Sequence, residues 1–426
     1  MPYDVIIGRD EADKERFGKQ GLAYIGKSYV KMGQYTSLSN PIYLDVARSH
    51  VILVAGKRGS GKSYSLGVIA ESLASLPEAT SKNIAPLIFD TMGIFWTMKN
   101  KNDRDKELLA EWGLQEQNVP VKVFAPYGHF QAYRDKGIDV DEEFAIKISE
   151  LTVEDWINLF DLDYTEQVAV AIENVIFKLS GKEYGFDDIR QALSKQEAGK
   201  AAIALFNAAE GWGVFDEEKG MDINQLIEAG KTSIIDLSMY TSSAGFNIRA
   251  LIIGLVCSRL FMNRMAARKY EEIQSVQHSL SSFYAPKREM PLVWIFIDEA
   301  HEFLPRDGST PASNALIQLL REGRQPGISM VLATQQPGKI HVDALTQSDI
   351  VLSHRVTAKP DVDALNWIMQ SYLYEDVKKK MNDLPREKGS AIILDDNSER
   401  IYSCRIRPRF TWHGGEAPTA VRVEKD

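Results

Sequence analysis

The stretch Gly56-Lys57-Arg58-Gly59-Ser60-Gly61-Lys62-Ser63 fits G-x-x-x-x-G-K-[ST] at every fixed position. Glycines so spaced let backbone N–H groups converge on phosphate oxygens, and a helix beginning there adds its partial positive charge. Gly56 to Tyr64 is therefore the candidate nucleotide-binding stretch, with Lys62 reaching the β- and γ-phosphates and the Ser63 hydroxyl holding Mg²⁺. A second candidate lies far downstream, where Asp298 and Glu299 directly follow the apolar run WIFI. The first acid suits a magnesium ligand acting through water, and the second a carboxylate that orients or deprotonates an attacking water. The two acids would also serve as caps of a helix starting at 299.

Two further groups stand between and beyond. ISMVLAT, at 328–334, runs into Gln335-Gln336-Pro337. Gln335 is placed either to contact the γ-phosphate or its water, or to form part of a turn. Arg321-Glu322-Gly323-Arg324-Gln325-Pro326-Gly327 puts Arg324 at the exposed end of a helix stopped by Pro326 and Gly327. An arginine there either complements the helix dipole or neutralises charge on a transferring phosphoryl group.

These residues need strands to carry them. VILVA at 51–55 precedes the glycine loop, and SYSLGVIAESLASL after it has helical apolar spacing. APLIFD (85–90), VKVFAP (121–126), TSIIDLS (232–238), PLVWIFI (291–297), DIVLSHRV (349–356), SAIILD and RIYSCRI read as further strands. A long amphipathic helix is expected over 245–272, and a block of helices over 136–230, where apolar residues recur every three or four positions. Thr152 with Asp155 resembles a capping pair. The pattern predicts an α/β fold: a doubly wound, mostly parallel sheet with an all-helical insertion. Ligands bind there at the carboxyl ends of the strands, which would bring Asp298 to Lys62. The expected divisions are a short β segment at 1–48, a core from 49–135 and 231–410, the insertion at 136–230 and a tail at 411–426.

The 426 residues have a net charge of −9, so any nucleic-acid site must be a local basic face or channel. Neither of the two cysteines, Cys257 and Cys404, has metal-ligand spacing, and a reducing, cytoplasmic setting is expected. The charged N-terminal stretch does not read as a signal peptide, and no membrane span is expected.

In PIYLDVARSHVILVAGKRGSGKSYSLGVIAESL, SIIDLS, WIFIDEAHEFLP and above all LLREGRQPGISMVLATQQPGKIHVDALTQSDIVLSHRVT, the chain resembles the HerA family of the HerA/FtsK class. The resemblance implies a RecA-like core, ATP and Mg²⁺, a homohexamer, double-stranded DNA in the ring channel and a partner nuclease or effector. It implies Asp298 and Glu299 as the acid pair, Gln335 as sensor, and Arg324 as the arginine offered to the neighbouring copy's nucleotide. Asp90 matches the acid ending the second core strand, but Thr91-Met92-Gly93 replaces the family's following His-Gly-Glu type run. The roughly 50 residues before the loop are too few for the family's N-terminal barrel, whose partner contacts are not assumed.

Three other readings compete. DEAH at 298–301 opens a helicase motif of a two-lobed class, but the 125 residues after His301 are too few for a second lobe. A conjugation or secretion motor shares the sheet and the arginine. A nucleotide-gated scaffold for a nuclease would need no turnover. Candidate DNA contacts are Lys339, His341, Lys287, Arg288, Arg264, Arg268 and Lys269. Arg405, Arg407 and Arg409 alternate, either to reach an adjacent copy's nucleotide or to line an exposed strand face.

Overall fold

The computed structural model describes residues 3–32, 35–240, 248–278, 288–369 and 377–415. Its strands in chain order are β1 (Val5–Ile7), β2 (Leu22–Met32), β3 (Tyr35–Asp45), β4 (Val51–Ala55), β5 (Ile84–Asp90), β6 (Val121–Pro126) and β7 (Glu142–Phe144). They continue with β8 (Ile146–Lys147), β9 (Phe215–Asp216), β10 (Thr232–Asp236), β11 (Leu292–Ile297), β12 (Ile328–Thr334), β13 (Ile350–His354), β14 (Ser390–Asp395) and β15 (Arg400–Ile406).

All but β8 and β9 form one sheet of order β1-β3-β2-β15-β14-β13-β4-β12-β11-β5-β10-β6-β7. From β13 to β7 every pairing is parallel. Every residue of β5, β10 and β12 is buried, as strands covered on both faces must be. The apolar runs thus define a doubly wound α/β core with helices on both faces. β14, β15, β2 and β3 continue it in antiparallel sense and β1 pairs parallel with β3, so the N-terminal strands are a continuation of the core sheet.

The segment 136–230 is mainly helical but not wholly so. β7 extends the main sheet, and β8 pairs with β9. Helices Val153–Leu159, Gln167–Leu179, Phe186–Leu193 and Gly199–Glu210 pack around Trp156, whose ring lies 4.8 Å from Phe206 and 5.2 Å from Phe215. The strands are too short to register as a two-residue periodicity. Thr152 and Asp155 do form a capping box.

The long helix spans Ile248–His278. Among the described residues it alone is long and apolar enough to cross a membrane by length and composition. Ile252, Ile253, Val256, Cys257 and Leu260 are buried in the core, which accounts for its hydropathy.

Candidate nucleotide site

Because β4, β11 and β12 are parallel neighbours, their carboxyl ends open on one crest. The chain leaves β4 into the glycine loop, whose Gly59 and Gly61 have φ of +71° and +108°, a backbone conformation side chains resist. A Cβ on Gly56 would come 2.8 Å from the Cβ of His354, so the first glycine is required by close approach. The loop is tied down by Gly56 N–H to Thr334 O (3.3 Å) and Lys57 N–H to Arg355 O (3.2 Å). The helix Lys62–Ala74 then starts with no side-chain cap, leaving its first amides free for an anion. Lys57, Arg58 and Gly59 form the exposed crest, with Ser60 half-buried. Lys62 is buried, its Nζ 3.5 Å from Lys57 O.

β11 delivers the acids. Ser63 Oγ donates a hydrogen bond to Asp298 Oδ2, joining residues 235 apart in sequence. Asp298 Oδ1 accepts the Glu299 N–H at 2.8 Å. Glu299 has φ 49° and ψ 42°, a strained left-handed conformation for a residue with a side chain, and it makes no cap to the following turn. The helix-capping alternative therefore does not hold. Burial raises the Glu299 carboxyl to about 7, the neighbouring Asp298 adds to this, and Lys62 opposes it. Glu299 Oε2 has no hydrogen-bond partner among the described residues.

Behind Glu299 stand two groups from β12. Thr334 Oγ1 lies 3.2 Å from His301 Nδ1, and the Glu299 carboxylate oxygen Oε2 lies 3.7 Å from the same nitrogen. Burial lowers the His301 pKa, favouring the neutral ring. Half-buried Gln335 is next along the chain, its backbone amide close enough to depress the Glu299 pKa slightly. The structure thus gathers Lys62, Ser63, Asp298, Glu299 and Gln335 at one crest.

Arg324 is elsewhere. It precedes β12 whereas Gln335 follows it, so seven strand residues separate the two. At about 3.3 Å per residue that is roughly 20 Å, on the opposite edge of the sheet. Its side chain is exposed and its guanidinium has no partner among the described residues, whereas Arg321 pairs with Asp343 at 2.7 Å.

Several side chains have roles the linear pattern did not signal. His354, at the end of β13, accepts from Ser65 Oγ (2.8 Å) and donates from Nδ1 to Ser390 O (3.1 Å). Burial pushes it down to about 4, so it is a neutral strut beneath the loop. Asp90 accepts three backbone amides, from Met92, Gly93 and Phe95 at 3.2, 2.8 and 2.7 Å. It anchors the following turn. The second carboxylate beside it is Asp236 of β10, in register with Asp90, accepting from Tyr133 OH at 2.9 Å. Burial raises both acids.

Other expectations are corrected. Arg407 and Arg409 neither reach outward nor line an exposed face: both are fully buried against Glu71 of the loop helix. The Tyr64 hydroxyl accepts the Arg409 N–H at 2.7 Å, so the C-terminal segment already engages it. Arg405 pairs with Glu387 at 2.8 Å. Arg264 is fully buried, and Arg268 pairs with Glu272 at 2.7 Å. Lys269, Arg288 and Lys339 are exposed; His341 is half-buried and caps the next helix; Lys287 lies outside the described residues.

Oxygen donors from Ser63 and Asp298 in direct contact, beside an unpartnered Glu299 oxygen, are a set that fits Mg²⁺. The pattern of the family described as helicase HerA, central domain, matches residues 30–254. A probable DNA double-strand break repair helicase HerA of Methanocaldococcus jannaschii is 27% identical over 187 residues, 41% of this chain and 35% of that protein. A DNA double-strand break repair helicase HerA of Pyrococcus furiosus is 25% identical over 150 residues, 32% of this chain and 26% of that one. The matches thus span about a third or less of these relatives. Among solved structures, VirB4 of Thermoanaerobacter pseudethanolicus superimposes with a TM-score of 0.51 at 11% identity, covering 91% of this chain and 96% of that one, which speaks to the fold alone.

Proposed function

The chain belongs to the family of HerA helicase central domains, and on that footing we propose that it is the motor core of a homohexameric ATPase that moves along double-stranded DNA. The observation that carries this reading is the separation of Arg324 from its own crest by the length of β12, with the guanidinium exposed and unpaired. An arginine so placed is out of reach of its own nucleotide and free to meet one held by another copy. Contacts that join opposite edges of identical subunits are head-to-tail, and when they close they make a ring.

In that ring the amides of the glycine loop and Lys62 bind the β- and γ-phosphates. Ser63 and Asp298 would hold Mg²⁺, which when bound neutralises phosphate charge. Glu299, held in its strained backbone conformation, orients the attacking water and takes its proton, its pKa raised toward neutrality by burial. Gln335 senses loss of the γ-phosphate and passes the change to β12. The neighbour's Arg324 stabilises the charge of the transition state.

DNA phosphates are met by basic loops on the crest. Lys339 lies just beyond Gln335, and Arg306 N–H bonds Lys339 O at 2.8 Å, so two exposed cations from the loops after β11 and β12 sit together. A cytoplasmic setting and a partner nuclease or effector complete the reading.

Light scattering together with ATPase rates, with and without double-stranded DNA, tests it. A hexamer stimulated by DNA is expected; a monomer indifferent to DNA sinks the motor. Mixing Arg324→Ala with Lys62→Ala subunits should restore turnover at interfaces where an intact arginine meets an intact loop. Glu299→Gln separates the motor from a scaffold, since a scaffold would keep recruiting its partner with turnover abolished.

A further inference from the structure

We propose that Arg264, a fully buried arginine of the long helix, is the positioning residue that sets the turn from which Arg324 projects. This rests on the trans role of Arg324 and names what makes that role possible.

The turn has few means of its own to hold a shape. It is closed by Ile328 N–H to Gly323 O at 2.8 Å and by longer bonds from Gln325 N–H to Glu322 O and Gly327 N–H to Arg324 O, both at 3.3 Å, and it is tied to β11 at its far end by Val293 N–H to Gly327 O at 3.2 Å. Gly327 has φ +86°. Nothing holds the Arg324 guanidinium itself among the described residues. A trans-acting group must nevertheless arrive at a neighbour's phosphate within a fraction of an ångström to act.

Arg264 adds a side-chain constraint from below, nearer to Arg324 than the backbone bond at Gly327. Its Nε donates to Pro326 O at 2.8 Å, two residues beyond Arg324. Its Nη1 donates to Met290 O at 2.8 Å, in the segment entering β11. One rigid guanidinium therefore braces the middle of the turn, at Pro326, against the strand that ends in Asp298 and Glu299, beside the backbone ladder that begins at Gly327 and Val293. Its Nη2 lies 3.4 Å from where a Gly327 Cβ would stand, an ordinary contact, whereas Leu292 Cδ2 would lie only 2.3 Å from that Cβ, so the glycine is required by the approach of Leu292 and by its positive φ.

The position is a costly one. Among the described residues Arg264 has only Glu271 as counter-charge, at 3.3 Å, and Glu271 is shared with Arg268 and Arg288, each 3.8 Å away. Nη2 has no hydrogen-bond partner among the described residues. An apolar side chain would fill the same space without desolvating a charge. What it could not do is donate to two carbonyls in different segments with a fixed fork between them.

The test uses the full chain with double-stranded DNA and compares Arg264→Lys with Arg324→Ala. Lysine keeps the charge and length but cannot span both carbonyls. For Arg264→Lys, kcat should fall by about 10²-fold while KM for ATP stays within about twofold. Hydrogen exchange at the 323–328 amides should quicken. Mixing with Lys62→Ala subunits, whose turn is intact, should restore turnover as it does for Arg324→Ala. If Arg324→Ala collapses turnover but Arg264→Lys keeps kcat, or loses it without recovery on mixing, the positioning role is overturned and the trans arginine stands. If Arg324→Ala itself turns over normally, the underlying reading has failed instead. Should Arg264→Lys not fold, Glu271→Gln takes its place: a smaller, mixing-recoverable loss of kcat supports the role, and an unchanged kcat refutes it.

Discussion

Arginines cluster in two short segments of this chain, 321–327 and 405–409, and the fold uses them in opposite ways. Arg407 and Arg409 are fully buried. Arg407 donates to Glu71 Oε1 (2.6 Å), Ser72 Oγ (2.6 Å) and Tyr24 O (2.9 Å). Arg409 donates to Thr411 Oγ1 at 2.8 Å, and Glu71 Oε2 also accepts from the Thr411 hydroxyl at 2.7 Å. These charges are paired with Glu71 within the protomer, although Arg409 Nε, 3.7 Å from Glu71 Oε2, has no hydrogen-bond partner among the described residues, and they bind the C-terminal segment to the loop helix. The Arg324 side chain is exposed and has no partner among the described residues. A charge the fold has satisfied is structural. One held at a fixed place and left unsatisfied is available to another molecule.

The largest effect that would break this contrast is on turnover. Arg324→Ala should lower kcat by about 10³–10⁵-fold while nucleotide affinity and thermal stability stay near those of the parent. Normal hydrolysis would put Arg324 in the same structural class as Arg407. The complementary change is Glu71→Ala. It strips the counter-charge from two buried guanidinium groups and should cost about 3–5 kcal/mol in denaturant unfolding. A loss below about 1 kcal/mol would mean that water reaches the cluster and that the contrast in burial is overstated.

A third buried cluster sharpens the point by adding pH. His50 sits between Asp349 (2.6 Å) and Asp45 (3.3 Å), and Arg9 Nε also donates to Asp45 at 2.7 Å. The two carboxylates outweigh the burial that opposes charge, raising His50 from 6.5 to about 9. Because the folded value lies above the unfolded one, the stabilisation is complete below pH 6.5 and is lost as pH climbs toward 9. The loss should be on the order of 3 kcal/mol. Urea unfolding across that window should show it in the parent, and His50→Gln should flatten the slope. An unchanged slope would mean that His50 is neutral in the fold.

Much of the nucleotide crest was legible in the sequence because its parts are local. The glycine loop, the acids after WIFI and the glutamine after ISMVLAT each follow an apolar run whose length and composition identify a strand, and parallel topology brings them together. The partnerships were not legible. Asp236 completes a carboxyl pair with Asp90 from 146 positions away, and neither TSIIDLS nor APLIFD indicates register. RIRPRF reads the same whether its arginines face water or Glu71. Arg264 falls on an amphipathic pattern as a polar position, because no periodicity shows that a turn and a strand entry will close over it. His354 was hidden by a strand in which every residue is buried.

The smallest predicted effect concerns the other unsatisfied cations, Arg306 and Lys339. They are exposed on adjoining loops at the crest and form no ion pair among the described residues. By the rule that separates Arg324 from Arg407, they should serve an external anion, and under the proposed function that anion is the DNA backbone. Each phosphate neutralised releases counterions and contributes about 0.9 to the slope of log affinity against log salt. Arg306→Ala combined with Lys339→Ala should therefore reduce that slope by about 2, equally on unrelated duplex sequences, while DNA-free ATPase stays unchanged. An unaltered slope would show that exposure and lack of a partner are not sufficient for function, and Arg324 would then need to be justified by its place at the far end of β12 alone.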